Sequence, residues 1–459
     1  MNAPARGEIR RAERCQTTGA MATGRRRIVS IVGTRPNFMK TAPVVRALAR
    51  RPERFEPILV HTGQHYDRSM SEIFFDELGV AGVDHVLEVG AGTHAEQTAR
   101  VMTRLEPLLA ELEPDLVLVP GDVNSTLAAA VTAAKLGIPV GHIEAGLRSF
   151  DRSMPEEINR VLTDQLADLL FTHSPEARGH LLAEGRDERD IHPVGNTMID
   201  TLVALRDPIA RERAADRLGL EPGRFLLVTL HRPALVDGPL LARAIDALDR
   251  VGTHLEVVFP VHPRTRARMA GQGIDPGRVR LVEPLGYVAF LSLVMDSAGV
   301  LTDSGGIQEE TTYLGVPCFT LRDNTERPIT CSAGSNTLLG LAGADRRDPG
   351  PPGGQAKREP SGPGRMGWER LGAHRRDPLR GGGLLRRLVQ SHLMVASRER
   401  PCETLLRASR SGETSGAEGG AYAASRGVAR PVHHSSAPVR SGACGPGRAS
   451  RHRGAAGRG

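Results

Sequence analysis

The chain has 459 residues, of which 39% are hydrophobic and only 3% aromatic, and a formal net charge of +7. This length is sufficient for two or three ordinary domains. From residue 342 onward, 22 Lys and Arg residues stand against 9 Asp and Glu residues, a net charge of about +13. Residues 1–341 are therefore mildly acidic, at about −6. The basic character of the whole chain is no evidence that its foldable part binds nucleic acid.

Cysteine content and hydropathy exclude further classes of protein. No CxxC motif and no His/Cys cluster has the spacing of metal ligands, so we expect neither a disulfide scaffold nor a metal site. Residues 1–26 are polar, which disfavours a secretory signal, and no stretch has the length and apolarity of a membrane span. We expect a cytoplasmic protein with a disordered extension over 1–26 and no membrane partner. The cysteines are Cys15, Cys318, Cys331, Cys402 and Cys444.

Short apolar runs alternate with helical stretches between residues 27 and 200. Each run ends in Gly, Asp, His or Ser, and this alternation indicates a parallel sheet with helices on both faces. The sequence therefore predicts a first Rossmann-like domain over 27–200. The runs are RIVSIVG (27–33), FEPILVHTG (55–63), PDLVLVPGD (114–122), IPVGHIEAG (138–146), DLLFTHS (168–174) and IHPVGNTMID (191–200).

The same alternation continues over residues 201–341 and predicts a second Rossmann-like domain. Two doubly wound units in series place a cleft between the carboxyl ends of their sheets. The predicted fold class is α/β, with two doubly wound Rossmann-like domains facing a central cleft. The apolar runs are FLLVTLHRP (225–233), LEVVFPVHP (255–263), VRLVEPLG (279–286), GVLTDSGG (299–306) and VPCFTLRD (316–323).

The composition changes after Leu341. Residues 342–459 are rich in Arg and Gly and show little apolar periodicity. They are either a disordered basic tail or the product of translation out of frame. We favour the second interpretation, because the second domain stops before the helices that would cover its sheet.

The segment GTRPNFMK (33–40) follows a predicted strand and opens a helix. It lacks GxGxxG, which disfavours a dinucleotide. Arg35 and Lys40 would suit an anionic diphosphate, and Lys40 is one of only two lysines in residues 1–341. The alternative is a Rossmann-type turn without a ligand.

Three acidic positions are candidates for acid/base chemistry. Asp122 ends one predicted strand; it could cap the next helix, but Asn124 and Ser125 could do that instead. Glu144 ends the next strand, where a buried carboxylate is costly unless it is paired or used. Glu156 lies at a helix start, where acidic residues are favourable in any case.

The second domain offers a candidate nucleotide site. His231 follows a strand and faces the predicted cleft. Ser304, Gly305 and Gly306 open a helix, whose backbone N–H groups and dipole can hold phosphate. Glu310 could accept hydrogen bonds from two ribose hydroxyls. Arg327 would add a cation, or would be an ordinary surface arginine.

Ten segments occur in the order found in the non-hydrolysing UDP-N-acetylglucosamine 2-epimerases, and over about 300 residues the chain resembles that family. The resemblance implies a GT-B-like fold and reversible conversion of UDP-GlcNAc to UDP-ManNAc. The route is elimination of UDP to a 2-acetamidoglucal and re-addition on the other face, without a cofactor. The segments are GTRPNFMK, HTGQHYD, PGDVNST, HIEAGLRS, MPEEINR, VGNTMID, TLHRP, EPLGYVAF, TDSGGIQEE and RDNTERP.

The resemblance also assigns roles to residues. It implies an acid/base and sugar site, a diphosphate site, a uracil wall, a UDP cradle and a second site at which UDP-GlcNAc activates bacterial relatives. It further implies a homodimer. The acid/base and sugar site comprises Asp122, Glu144 and Glu156, and the diphosphate site comprises Arg35, Lys40 and His231. Of the last three, His231 is also counted as catalytic. Phe290 is the uracil wall, the UDP cradle comprises Ser304, Gly305, Gly306, Glu310 and Arg327, and the second site comprises Gln64, His65, Gln97 and Arg232.

The chain departs from the family pattern at four places, the first being GTRPN where GTRPE is commoner. Leu285 replaces a polar residue that contacts the nucleotide, HRPALVDG replaces an HRREN-like run, and the family's C-terminal helices have no counterpart. Two other functions therefore compete with epimerisation: a GT-B glycosyltransferase and an inactive sugar-nucleotide-binding relic. Nucleic-acid binding by the tail is disfavoured, because Trp368 and Tyr422 are its only aromatic residues.

Overall fold

The structure is a computed structural model that describes residues 24–63, 78 and 82–341. Two parallel sheets follow each other along this part of the chain, which confirms the predicted α/β class with two parallel-sheet units. The predictions for residues 1–23 and 342–459 lie outside the described residues. Over the described ranges, no helix combines the length and apolarity needed to cross a membrane.

The first sheet has seven strands in the described part, and every pair of neighbours is parallel. Their spatial order is β3-β2-β1-β4-β5-β6-β7. The two-residue strand β3 was not predicted, because so short a run carries no periodicity. The strands are β1 (Arg26–Val32), β2 (Phe55–His61), β3 (His85–Val86), β4 (Leu116–Pro120), β5 (Val140–Ile143), β6 (Leu169–Thr172) and β7 (Ile191–Pro193).

Helices connect these strands and lead into the second sheet. The prediction that 191–200 is one strand was wrong beyond Pro193. Asn196 accepts a hydrogen bond from Met198 N at 2.9 Å and so starts a helix there. The helices are α1 (Arg35–Ala49), α2 (His94–Leu112), α3 (Asn124–Lys135), α4 (Pro155–Leu166), α5 (Pro175–Ala183), α6 (Thr197–Ala204), α7 (Arg206–Glu212) and α8 (Ala214–Arg217), with a 3-10 turn at Glu188–Asp190.

The second sheet has six parallel strands among the described residues, in the order β10-β9-β8-β11-β12-β13. Its strands are β8 (Phe225–Thr229), β9 (Glu256–Pro260), β10 (Val279–Val282), β11 (Gly299–Thr302), β12 (Cys318–Thr320) and β13 (Asn336–Leu338). Its helices are α9 (Pro233–Val236), α10 (Leu240–Val251), α11 (Pro263–Gly271), α12 (Tyr287–Asp296), α13 (Gly305–Leu314) and α14 (Ile329–Ser332).

Apolar burial holds the helices on the sheets. On α10, Leu241, Ile245, Leu248 and Val251 recur at helical spacing and are fully buried against strands of the second sheet. Burying each such side chain contributes about 1.5–3 kcal/mol. The strands themselves are apolar on both faces, as expected for parallel sheets that are covered on both sides.

Strand order determines where polar residues meet. In the first sheet the chain leaves β1 toward β2, and later returns to β4 on the other side of β1. The second sheet has the same reversal at β8 and β11. Crevices form at the carboxyl ends of strands at such switch points, and ligands bind there. A ligand site is therefore expected at the loops that follow β1, β4, β5, β8 and β11.

Candidate active site

Asp122 lies two residues beyond β4 and is held by an arginine. Arg160 Nε on α4 donates to its carboxylate at 2.9 Å. Burial raises the pKa of Asp122, but the nearby charges of Arg160 and Lys40 outweigh it and hold that pKa below its ordinary value. Gly121, at φ +66°, brings the loop so close to Lys40 that a Cβ would lie 2.9 Å from Nζ.

The inference that Asn124 and Ser125 cap the following helix was wrong. Both residues lie inside α3, and Val123, which precedes it, has no side chain that could cap. The Asn124 amide instead donates to Gln97 Oε1 at 2.9 Å, and the Ser125 hydroxyl bonds Thr62 Oγ1 at 2.9 Å. Asp122 does not cap α3 either, because its carboxylate contacts Arg160 instead.

Glu144 follows β5 directly and is buried between two cations. It forms an ion pair with Lys40, and Arg327 Nη2 of the second unit donates to it at 2.6 Å. Its side chain is only 7% exposed, so the two cations compensate a charge that would otherwise be costly to bury. Glu144 also has φ +71°, a left-handed conformation that is strained for a residue with a side chain.

The two acidic residues at the start of α4 have different surroundings. Glu157 is buried and accepts hydrogen bonds from Ser149 N and Phe150 N, each at 2.9 Å, and from Arg160. It therefore holds the preceding loop in place. Glu156 is half-buried and lines a cavity instead.

Asp303, which is not among the predicted site residues, organises the loop after β8. Its carboxylate accepts hydrogen bonds from His231 N at 2.9 Å and Arg232 N at 2.7 Å, and lies 3.0 Å from His231 Nδ1. Burial raises the pKa of Asp303, but these contacts outweigh it and lower that pKa. His231 itself is half-exposed. An aspartate at the end of a buried strand, in TDSGG, was the available signal.

Helix α13 starts where the phosphate site was predicted. Ser304 precedes it, and its side chain makes no capping hydrogen bond. A Cβ on Gly305 would lie 2.4 Å from Arg327 Nη1 and 2.5 Å from Glu326 Oε1, so a larger residue there would displace this buried ion pair. A Cβ on Gly306 would meet only the flexible end of Met198. The first N–H groups of the helix are thus close to a guanidinium and uncapped by a side chain.

Arg327 joins the two units. Besides Glu144, it contacts Glu309 at 2.9 Å through Nε and Glu326 at 2.6 Å through Nη1. Burial disfavours its charge, but these three carboxylates hold the pKa of Arg327 well above its ordinary value. Arg327 is buried, so the alternative prediction of an ordinary surface arginine is wrong.

His173, Glu144 and Glu309 come together in a way that could suit a cation. One ligand atom from each lies within 4.8 Å of the others, and His173 Nε2 is 2.8 Å from Glu309. The Arg327 guanidinium contacts both carboxylates, so the positive charge that they need is already supplied. We assign no metal here.

Two residues predicted for the nucleotide, Phe290 and Glu310, lie on α12 and α13. Glu310 is buried, and Tyr287 donates its hydroxyl to it at 2.7 Å. Burial is the main reason that the pKa of Glu310 is raised to about 7. Phe290 is partly buried at the margin of the adjoining core. Arg35 is exposed at the first residue of α1, at the carboxyl end of β1.

A cavity of about 370 Å³ lies beside this network, between segments of both units. Glu156, Arg232 and Asp303 line it, together with His94 and Asn324. Of the residues predicted for a regulatory site, Arg232 is therefore on this cavity, and Gln97 contacts Asn124 close by. Gln64 and His65 lie outside the described residues.

Comparison with known proteins points to one family. Residues 46–345 match the family described as UDP-N-acetylglucosamine 2-epimerase. The UDP-N-acetylglucosamine 2-epimerase of Methanococcus maripaludis is 42% identical over 321 residues, 68% of this chain and 87% of that protein. The UDP-2,3-diacetamido-2,3-dideoxy-D-glucuronate 2-epimerase of Pseudomonas aeruginosa is also 42% identical, over 69% and 89%. The Methanocaldococcus jannaschii UDP-GlcNAc 2-epimerase, solved with UDP-GlcNAc and UDP, superposes with a TM-score of 0.65 at 40% identity over 69% and 89%.

Proposed function

The chain belongs to the UDP-N-acetylglucosamine 2-epimerase family, and we propose that it interconverts UDP-GlcNAc and UDP-ManNAc by inverting C2 of the sugar. One observation carries this proposal. Two carboxylates, Asp122 and Glu144, follow neighbouring strands, and buried cations hold both. Arg160 contacts Asp122, Lys40 and Arg327 contact Glu144, and Glu326 lies between Arg160 and Arg327. Such an arrangement supplies both proton transfer and anion binding at one place.

The chemistry proceeds by elimination and re-addition. The C2 proton of a sugar is barely acidic, so UDP must begin to leave first and create oxocarbenium character at C1. One carboxylate then removes the C2 proton, which gives the 2-acetamidoglucal. A second group returns a proton on the opposite face while UDP re-adds at C1. We assign these two tasks to Asp122 and Glu144, with Glu156 beside the sugar.

The second unit holds the departing UDP between the two half-reactions. The N terminus of α13 at Ser304, Gly305 and Gly306 faces the phosphates, and Phe290 lies against uracil. Arg35, Lys40, His231 and Arg327 supply positive charge or hydrogen bonds to the diphosphate. Lys40 and Arg327 both contact Glu144. A diphosphate that draws on these cations would loosen Glu144 and so make it a better proton acceptor.

The test uses the full chain with UDP-GlcNAc in D₂O, without nicotinamide or acceptor. We expect UDP-ManNAc to form with deuterium at C2, because a proton held on a solvent-exchangeable carboxylate is lost to solvent. Prolonged incubation should also release UDP and 2-acetamidoglucal. Full retention of the C2 proton would indicate an oxidation–reduction route. Turnover only with a sugar acceptor would indicate a glycosyltransferase, and UDP binding without turnover an inactive relic.

The choice between two candidate UDP-sugar substrates requires a direct kinetic comparison. The relative named for UDP-2,3-diacetamido-2,3-dideoxy-D-glucuronate matches this chain at the same 42% identity as the relative named for UDP-N-acetylglucosamine. Identity therefore does not choose between the two sugars, although C2 inversion is common to both names. Side-by-side kcat/KM values for the two UDP-sugars decide; we expect UDP-GlcNAc to be the better substrate.

Replacing Glu310 by glutamine should weaken UDP binding and flatten its pH dependence. We assign this carboxylate to the ribose hydroxyls, for which the ionised form is the better acceptor. Because the pKa of Glu310 is about 7, wild-type UDP affinity should rise between about pH 6 and 8. Glutamine cannot ionise, so E310Q should lack that component. Calorimetric titration of UDP at several pH values is the measurement.

Folding stability should change with pH in the opposite direction. A carboxyl whose folded pKa is raised stabilises the fold below its ordinary pKa, and that contribution is lost as pH rises toward 7. E310Q imitates the protonated acid and should be less sensitive to pH over this range. Equal pH dependence of melting in both proteins would contradict the assignment.

Assembly, location and regulation complete the proposal. We expect a cytoplasmic homodimer that associates through the first unit.

The cavity beside Glu156 and Arg232 is where a second UDP-GlcNAc would act as an activator. Sigmoidal dependence of rate on UDP-GlcNAc, lost in R232A, would support this regulation.

A further inference from the structure

A buried polar chain lies behind the two carboxylates and is not used by the proposed chemistry. His142, on β5, is completely buried. Its Nδ1 lies 2.7 Å from Asp164 Oδ1 of α4, and its Nε2 lies 2.7 Å from the carbonyl oxygen of Gly121. Arg148 contacts the other Asp164 oxygen at 2.7 Å and forms a two-pronged pair with Glu184 at 2.7 and 2.6 Å.

Hydrogen-bonding capacity determines the protonation of this imidazole. A backbone carbonyl can only accept, so Nε2 must carry a proton. Asp164 accepts from Gly146 N at 3.1 Å and contacts Arg148, as an ionised carboxylate does. An ionised carboxylate also only accepts, so Nδ1 must carry a proton as well. The ring is then an imidazolium, and Asp164 is the counter-charge that permits its burial.

The chain connects the loops that present both acid/base candidates. Gly121, which His142 holds, immediately precedes Asp122. Gly146, whose N–H Asp164 accepts, closes the turn that begins at Glu144. Both glycines have left-handed backbones, at φ +66° and +80°, and a Cβ on Gly146 would lie 2.4 Å from the Ala177 carbonyl oxygen. The ladder between β4 and β5 ends with the bond from Gly121 N to Ile143 O at 3.0 Å, and beyond that bond these contacts help to set the mutual position of the two loops.

We propose that His142, as a doubly protonated imidazolium on Asp164, is a positioning residue that fixes Asp122 relative to Glu144. This inference rests on the proposed epimerase function. Displacing a reacting group by about 1 Å costs about 100-fold in rate. His142→Gln can satisfy only one of the two acceptors, so we expect kcat to fall by about 10- to 100-fold. UDP affinity should stay within about twofold, because the UDP-binding residues lie mainly on the second unit.

The experiment compares the full-length wild type with H142Q and with D164N, which keeps the size of Asp164 but not its charge. His192→Gln is the matched control: this ring lies on β7 of the same sheet, with its centroid 5.8 Å from that of Phe171, and its Nε2 makes no hydrogen bond among the described residues. Epimerisation kinetics and calorimetric UDP binding are measured for each protein. A mainly structural role would weaken UDP binding and lower the melting temperature together with kcat. A positioning role lowers kcat with UDP affinity retained.

A second measurement does not depend on variants that fold. In wild-type protein labelled with ¹⁵N at histidine, His142 should show two ring N–H resonances that exchange slowly with solvent, because the ring is fully buried. One ring N–H, or wild-type kcat in a folded H142Q, would overturn the inference. Wild-type protein without any epimerase activity would instead refute the proposed function, and the two failures are thereby distinguished.

Discussion

Glu144→Gln is expected to slow epimerisation by about two to four orders of magnitude, the usual contribution of a general acid or base. Glutamine is nearly isosteric with glutamate but has a single acceptor oxygen, so it can accept from Lys40 or from Arg327 and not from both. It can neither take nor return a proton. Asp122→Asn should have an effect of the same size. UDP binding should survive in both variants, since neither carboxylate is assigned to the nucleotide.

The two variants should differ in what they accumulate. A variant that retains the group that removes the C2 proton can still eliminate UDP from UDP-GlcNAc. UDP and 2-acetamidoglucal therefore build up without epimerisation. A variant that lacks this group does nothing with UDP-GlcNAc, although it still exchanges the C2 proton of UDP-ManNAc if the second group acts on that epimer. NMR of each sugar in D₂O therefore assigns Asp122 and Glu144 to their faces.

Asp115→Asn is the matched control. Asp115 lies at the amino end of β4, the strand whose carboxyl end leads to Asp122, and accepts Arg27 N at 2.7 Å. It is exposed and remote from the site, so D115N should turn over like the wild type. If E144Q retained more than about a tenth of wild-type kcat, Glu144 would not be the acid or base.

Local sequence patterns were sufficient to predict the strands and the loops that carry the candidates. The period of two in strands and the helical period between them are properties of consecutive residues. Parallel strands present their carboxyl ends at one edge, so Asp122 and Glu144 could be placed near each other once β4 and β5 were recognised. The structure agrees with this: β4 and β5 are hydrogen-bonded neighbours.

Long-range partners could not be predicted in the same way. Glu144 and Arg327 are 183 residues apart, and no local pattern in TDSGGIQEE distinguishes Glu309, which meets Arg327, from Glu310, which meets Tyr287. The resemblance placed Arg327 with UDP but was silent about its carboxylate partners. The prediction that Asn124 and Ser125 cap the helix failed because their partners are also distant in sequence. Asn124 bonds a side chain of α2, and Ser125 bonds one at the end of β2.

Replacing Arg327 by methionine should have the largest effect on stability. Methionine fills much of the same volume but leaves Glu144, Glu309 and Glu326 without their shared cation. Removing one partner of a buried ion pair costs about 3–5 kcal/mol, because the remaining charge is buried without compensation. Lys40, His173 and Arg322 still contact these carboxylates, which keeps the expected loss within that range. Urea unfolding at neutral pH measures it.

Arg280→Met provides the matched control for that loss. Arg280 pairs with Glu256 at 3.0 Å on the exposed side of neighbouring strands, with both side chains about two-fifths exposed. Exposed pairs contribute about 0–1 kcal/mol, since water screens them and the side chains lose freedom. A destabilisation of R327M no larger than that of R280M would mean that the carboxylates around Arg327 are not held ionised by it.

The pH dependence of R327M identifies the cause of the loss. In the wild type, burial raises the pKa of Glu309, but Arg327 and then His173 outweigh it and lower that pKa to about 2. A carboxylate whose folded pKa is lowered stabilises the fold above its ordinary pKa, and this contribution is lost as pH falls toward 2. Without Arg327, burial dominates, and protonation of Glu309 relieves the unpaired charge. The deficit of R327M relative to wild type should therefore be largest near neutral pH and shrink below about pH 5. A deficit that stays constant down to about pH 3 would assign the loss to packing rather than to charge.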